Sequence, residues 1–343
     1  MTTRIPGARP LVALVVPAFN EEASISACLD SICAQSWREL DIVVVDGGST
    51  DATRAIVADF AAHDDRVRLI DNPGRTQPAA MNTALAHIDA EWLVRVDAHS
   101  TVPPGYVGGV MAHLLTGSWG GVGGRKDGVA YTDAGRAIVA ALGSRFGVGN
   151  STYHHGTETQ VVDHIPFGAY PTEVARSIGG WDEAITANED YEFDYRVRQS
   201  GRELLFDPSL VIFWETRQDV RAFFRQYRRY GQGKALVLAK HPESAAVRHL
   251  IPGGLVAALV LAAVVLPFRP RWATALVAPY VAVITAATVT TAAALDSSQS
   301  RRLLPAAFSS MHVGYGLGFW ESMLGVLIRR GRPRRETVAS AVV

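Results

Sequence analysis

The stretch DIVVVDGGSTDATRAIVADFAAH (residues 41–63) decides the fold. Residues 42–45 are four consecutive β-branched apolar side chains, the composition of a strand buried on both faces of a parallel sheet. Asp46, Gly47 and Gly48 then turn the chain, with Ser49 or Thr50 placed to cap a helix over 49–63. The same unit recurs on either side. Residues 11–16 read as a strand before a helical pattern at 21–35, and 66–71 as a strand before a helical pattern at 77–88. Residues 92–96 make a further buried strand. Alternation of this kind predicts an α/β fold with a doubly wound, mostly parallel, Rossmann-like sheet. Ligands in such sheets gather beyond the carboxyl ends of the strands. The segments to inspect are therefore 17–22, 46–51 and 97–100, all polar and all carrying carboxylates. The turn at 46–48 has no G-x-G-x-x-G pattern and begins with a carboxylate, which argues against a pyrophosphate loop. Asp46 suits either a nucleoside's hydroxyls and base N–H or its own turn.

The chain has 343 residues, with 33 basic and 33 acidic side chains. That balance argues against a general nucleic-acid binder. The two cysteines, Cys28 and Cys33, suit neither a zinc cluster nor a disulfide framework and read as small core residues. The N-terminal arginines and apolar run imitate a signal peptide, but the run is short and leads straight into PAFNEE, so it reads as the first strand.

Charge nearly vanishes after Pro252. Two apolar blocks, near 250–267 and 272–295, approach or exceed the roughly 20 residues a membrane-spanning helix requires. A third block near 306–328 contains His312, Glu321 and several glycines, and reads as an interfacial or re-entrant helix. Arg301 and Arg302, with the arginines of the basic tail at 329–335, place both flanks of that block in the cytoplasm, although Arg269 and Arg271 between the spans oppose this. The division expected is a cytosolic domain over 1–240 and an α-helical membrane hairpin region over 241–343, giving a multi-pass protein of the inner (plasma) membrane.

Three stretches carry a resemblance: 15–53, opening VVPAFNEE; 79–100, ending VRVDAHS; and 165–201, containing NEDYEFDYRVRQSG. In this order they resemble family 2 glycosyltransferases of the GT-A fold, over roughly residues 10–235, and most of all the succinoglycan-type exopolysaccharide glucosyltransferases. The resemblance implies that Pro17, Asn20 and Glu21 form a nucleotide-contacting loop, that Asp46 reads the uracil or ribose, and that Asn82 borders the nucleotide pocket. It places DAH (97–99) where the family has Asp-x-Asp beside a Mg²⁺ or Mn²⁺ ion, with Asp97 and His99 as ligands. An imidazole suits manganese better than magnesium. Asp190 is the implied general base. Gln226 and Arg229, in RQYRRYGQGKA, resemble a Q-x-x-R-W motif that steadies the departing diphosphate, with Tyr230 standing where tryptophan is usual. The neighbouring arginines and Lys234 are expected at lipid headgroups, and Trp181 and Asp182 near the acceptor.

The function so implied is an inverting, metal-dependent transfer of a sugar from a UDP-sugar to a polyprenyl-linked or other saccharide acceptor among membrane lipids, with no nucleic-acid partner. A polyprenyl-phosphate sugar synthase and a catalytically silent membrane scaffold are the alternatives.

Overall fold

The computed structural model describes residues 9–330. The opening half is the anticipated alternation: β1 (Val12–Ala18), α1 (Ile25–Cys33), β2 (Leu40–Asp46), α2 (Thr53–His63), β3 (Val67–Asp71), α3 (Gln77–His87) and β4 (Trp92–Arg95). These four strands pair in parallel in the order β3-β2-β1-β4. Strand periodicity explains the two layers around them. Val12, Leu14 and Val16 of β1 pack with Ile25, Leu29 and Ile32 of α1 on one face. Ala13 and Val15 pack with Met81, Ala84 and Leu85 of α3 on the other.

The second half turns the sheet mixed. It comprises β5 (Ser100–Thr101), α4 (Tyr106–Leu114), β6 (Gly121–Val129), α5 (Asp133–Leu142), α6 (Arg145–Val148), β7 (Gln160–Val162), β8 (Ala169–Pro171), α7 (Thr172–Ser177), α8 (Glu189–Gln199) and β9 (Leu204–Glu215). β8 runs antiparallel between β4 and β6, and β6 pairs in parallel with β9. Asp219 then caps α9 (Val220–Lys240), its side chain accepting the Ala222 N–H at 2.8 Å.

Two helices long and apolar enough to cross a membrane follow, α10 (Val247–Val265) and α11 (Pro270–Ala292). Their apolar side chains face outward: Val260, Val264, Phe268, Trp272, Val281 and Val289 are all more than half exposed. A soluble protein rarely leaves such a surface bare.

The third block belongs to one helix, α12 (Ser298–Arg330), that packs along α9, α5 and α10. Leu304, Phe308 and Met311 join the same core as Ile138 and Ala141 of α5. Each such side chain contributes roughly 1.5–3 kcal/mol on burial, so the core that includes the sheet extends beyond residue 240. The glycines serve contact: a Cβ at Gly231 of α9 or Gly318 of α12 would run into the facing helix backbone at Tyr315 or Arg228. Glu321 is paired, with Arg228 Nη2 at 2.7 Å and Gln232 Nε2 at 2.9 Å. Arg228 thus ties α9 to α12. The basic tail lies largely outside the described residues.

Candidate active site

The sheet's order reverses between β1 and β4, which opens a crevice beyond their carboxyl ends. The chain leaving β1 brings Glu21 and the chain leaving β4 brings His99; His99 Nδ1 lies 3.3 Å from Glu21 Oε1. Asn20 adopts φ +55°, a left-handed conformation that asparagine tolerates. Its Oδ1 accepts the Thr50 N–H at 2.8 Å, tying the loop after β1 to the loop after β2. Pro17 sits inside β1, opposite Val45 of β2.

Two expected nucleotide contacts have other work. Asp46 is buried and accepts the N–H groups of Gly48 and Ser49 at 3.0 and 3.1 Å, the Ser49 hydroxyl at 2.5 Å and Arg54 Nη1 at 2.7 Å. Burial alone would raise its pKa, but these donors outweigh it and hold the carboxyl below its ordinary range. Three of these bonds fall on Oδ2 and one on Oδ1, so the carboxyl braces its own turn and keeps acceptor capacity on Oδ1. Asn82 likewise donates to Trp181 O and Glu183 Oε1, both at 2.9 Å, and accepts the Trp181 N–H at 2.8 Å. It staples α3 to the loop before α8. Asn82→Ala is expected to lower stability by about 1–3 kcal/mol while leaving nucleotide affinity unchanged, as read by thermal unfolding and nucleotide titration. Trp181 is a core aromatic, stacked 4.0 Å from Phe193, and Asp182 pairs with Lys240 at 2.6 Å.

The remaining candidates converge. A cavity of about 840 Å³ is lined by Asp97, His99, Glu189, Asp190, Gln226 and Arg229. At its centre Arg95, only 5% exposed, holds two carboxylates together. Its Nε donates to Asp97 Oδ1 at 2.8 Å and its Nη1 to Glu189 Oε1 at 3.2 Å. Gln77 Nε2 adds a bond to Asp97 Oδ1 at 3.1 Å. Asp97 Oδ2 has only a long contact, 3.4 Å, with Arg95 Nη2. Burial would raise the Asp97 pKa, but Arg95 more than reverses this, with smaller help from His99 and Lys126. Lys126 sits over Trp214, 3.7 Å from the ring centroid, and burial pushes its ammonium down to about 8 against the pull of Asp97 and Asp190.

Asp190 opens α8. Burial pushes its pKa up, and His164, Arg95 and the Tyr191 N–H outweigh that and keep it low. Its neighbour Glu189 goes the other way: burial raises it, and the charge of Asp190 adds to the rise. Two adjacent carboxyls thus separate into one that stays ionised and one that resists ionisation. Behind Asp190 stands His164, whose Nε2 is 3.8 Å from Asp190 Oδ2 and whose Nδ1 is 2.7 Å from Asp194 Oδ2. Burial disfavours the imidazolium, yet the two carboxylates prevail and raise the His164 pKa. Asp194 also accepts the Ile165 N–H and the Tyr170 hydroxyl, both at 2.8 Å, which fixes its orientation. Gln226 Oε1 is buried without a hydrogen-bond partner, a vacancy that a ligand hydroxyl or N–H would fill.

Sequence reasoning missed Arg95, Lys126, His164 and Asp194. Arg95 stands inside the quoted VRVDAHS, where a cation in an otherwise apolar strand is itself a signal. His164 stands alone in a loop between short strands, and nothing in its spacing marks it.

Among the described residues no three His, Cys, Asp or Glu side chains are grouped to hold a metal by themselves. The donor set still fits a divalent cation that shares its shell with a ligand: the weakly engaged Asp97 Oδ2 and the half-exposed His99 imidazole both face the cavity.

The chain matches the model for glycosyl transferase family 2 over residues 13–153 and that for glycosyl transferase family group 2 over residues 92–294. It is 32% identical to the succinoglycan biosynthesis protein ExoA of Rhizobium meliloti, across 70% of this chain and 73% of that one. It is 23% identical to the dolichyl N-acetyl-α-D-glucosaminyl phosphate 3-β-D-2,3-diacetamido-2,3-dideoxy-β-D-glucuronosyltransferase of Methanococcus voltae, across 67% and 74% of the two chains. In fold it is similar to a mannosyltransferase of Pyrobaculum calidifontis solved with GDP-mannose and Mn²⁺, with a TM-score of 0.55 and 20% identity over 94% of this chain and 88% of that one. A sheet that reverses at β1 and β4, its acidic crevice and a 32% identical relative agree: this chain belongs to glycosyltransferase family 2 and has the GT-A fold.

Proposed function

We propose that this glycosyltransferase moves one sugar, with inversion, from a UDP-sugar to a lipid-linked saccharide acceptor at the inner face of a plasma membrane. The observation that carries the reading is a single cavity. It joins the 97–99 corner, Asp190 and the first turn of α10, where Arg248, His249, Ile251 and Pro252 line its far wall. A donor at the crevice and an acceptor entering from the membrane side would then meet at Asp190.

In this mechanism Asp190 Oδ2 takes the proton of the attacking acceptor hydroxyl as the new oxygen–carbon bond forms at the anomeric carbon. The bond from that carbon to the diphosphate breaks with its electron pair leaving on the nucleoside diphosphate. Arg229 faces the charge that develops there. His164, wedged between Asp190 and Asp194, stabilises Asp190 in its ionised, proton-accepting form. Asp97 and His99 would hold a Mn²⁺ or Mg²⁺ ion, which when bound supplies positive charge to the diphosphate oxygens. With Asp190 as the ionised base and its neighbour Glu189 held by Arg95 and resisting ionisation, one displacement is favoured over a covalent intermediate.

The test is release of nucleoside diphosphate by the purified protein with membrane lipids, across a panel of UDP- and GDP-sugars, with Mn²⁺, Mg²⁺ or EDTA. Metal-dependent release from a UDP-sugar is the expected result; release unaffected by EDTA, or only from GDP-sugars, would contradict the corresponding part. His99→Asp replaces an imidazole with an oxygen ligand and is expected to shift the preference from Mn²⁺ towards Mg²⁺ by about tenfold, read as the ratio of rates with the two ions.

A further inference from the structure

Lys234 is buried, 4% exposed, yet lines the cavity. Among the described residues no carboxylate lies within 4.0 Å of its ammonium and no hydrogen-bond acceptor is in reach; its one close partner is the ring of Tyr191, 3.0 Å from Nζ to the centroid. A buried ammonium left without an anion costs far more than a neutral group. Burial accordingly pushes the Lys234 pKa down to about 7, with only partial opposition from Asp190. The carboxylate closest in kind, Asp163, is taken by Arg248 of α10. Among the described residues the Tyr191 ring is the one close partner of this amine, and no anion compensates its charge.

Position supplies the explanation. Gln226, Tyr230 and Lys234 are spaced i, i+4, i+8 on α9 and all three line the cavity. At 1.5 Å per residue, Lys234 lies about 12 Å along the helix axis from Gln226. This puts a second cation about two turns along α9 from Gln226, in a cavity whose wall also includes Arg248, His249 and Ile251 at the start of the apolar α10. We propose that Lys234, with Arg248, forms a phosphate subsite that seats the phosphate or diphosphate group of a prenyl-chain acceptor, whose hydrocarbon leaves past Ile251 along α10. This rests on the lipid-linked reading of the acceptor given above and adds the group by which the lipid is recognised. The ammonium gains its missing counter-charge on binding, and the neighbouring apolar surface accounts for selecting a lipid-borne phosphate over a free one.

The experiment uses the full chain in phosphatidylcholine nanodiscs. Geranyl phosphate, geranyl diphosphate, inorganic phosphate, pyrophosphate and UDP are each titrated by intrinsic tryptophan fluorescence against the wild type and Lys234→Met. The expected result is prenyl (di)phosphate binding at least tenfold tighter than the inorganic anions and weakened about tenfold or more by Lys234→Met, in line with loss of a charged hydrogen bond, with UDP affinity unchanged. Equal prenyl phosphate binding in the variant would overturn the subsite. A matching loss of UDP affinity would assign Lys234 to the donor, and equal affinity for the inorganic anions would make it a free-anion site; either result also overturns the proposal. Lys234→Gln repeats the series if the methionine variant does not fold. Absence of UDP binding by the wild type would count against the donor assignment while leaving the prenyl titrations readable, so the two failures are separable.

Discussion

Asp190→Asn is expected to lower the rate of transfer by about 10²- to 10⁴-fold, the range that a positioned general base contributes, with nucleotide affinity and thermal stability close to wild type. The amide keeps the shape of the side chain and its bond to the Tyr191 N–H, 2.8 Å in the wild type, but cannot accept the proton. The pH profile gives an independent reading. Opposed by burial, but held down by His164 and Arg95, Asp190 has a pKa below the ordinary carboxylate value. Activity needs its ionised form, so kcat/KM in the wild type falls only as the pH drops through that lowered pKa. The residual activity of Asp190→Asn should lack this acid limb. A variant that retained both the rate and the limb would remove Asp190 from the base's position.

The second large effect concerns stability. Arg95→Met is expected to cost about 3–5 kcal/mol, the usual consequence of breaking a buried ion pair by removing one partner. Arg95 bridges Asp97 and Glu189, and neither can recover a cation of the same reach. The pH dependence has a definite sign. Without the guanidinium, Asp97 loses the charge that keeps it low and Glu189, already raised, rises further, so the folded state binds protons that the unfolded state has released. The deficit is therefore largest at neutral pH and shrinks as the pH falls below the raised pKa values. Unfolding curves for wild type and variant at pH 7 and pH 5 measure it; a deficit that grew on acidification would contradict the account.

The opening strands were legible because their apolar runs are unbroken and each is followed by a helical pattern: the run at 41–45 became β2, and that at 92–96 became β4. The crevice followed from that order alone, and with it the meeting of Glu21 and His99. Asp46 and Asn82 were harder because their identity and position do not say which hydrogen bonds they spend locally. Asp46 also braces a turn two residues away, and Asn82 a loop about a hundred residues distant. The His164–Asp194 support for Asp190 depends on a loop and a helix brought together by the mixed half of the sheet, a contact with no local sequence period. Hydropathy identified the apolar blocks, but it could not distinguish a helix that faces lipid from one that packs on α9. Glu321 and the glycines of α12 marked that difference, since they pair with Arg228 and allow close backbone approach.

The central claim is that one cavity brings a nucleotide-sugar donor and a membrane-embedded acceptor together at Asp190. Its most direct test is to incubate the purified protein with membrane lipids and a UDP-sugar labelled in the sugar, then extract into organic solvent. The account expects label in the lipid phase, appearing about 10²-fold or more slowly with Asp190→Asn, and its return to water after mild acid hydrolysis of the lipid-linked saccharide. Turnover that left all the label in water-soluble saccharide would contradict the membrane acceptor, and undiminished lipid labelling by Asp190→Asn would contradict the base.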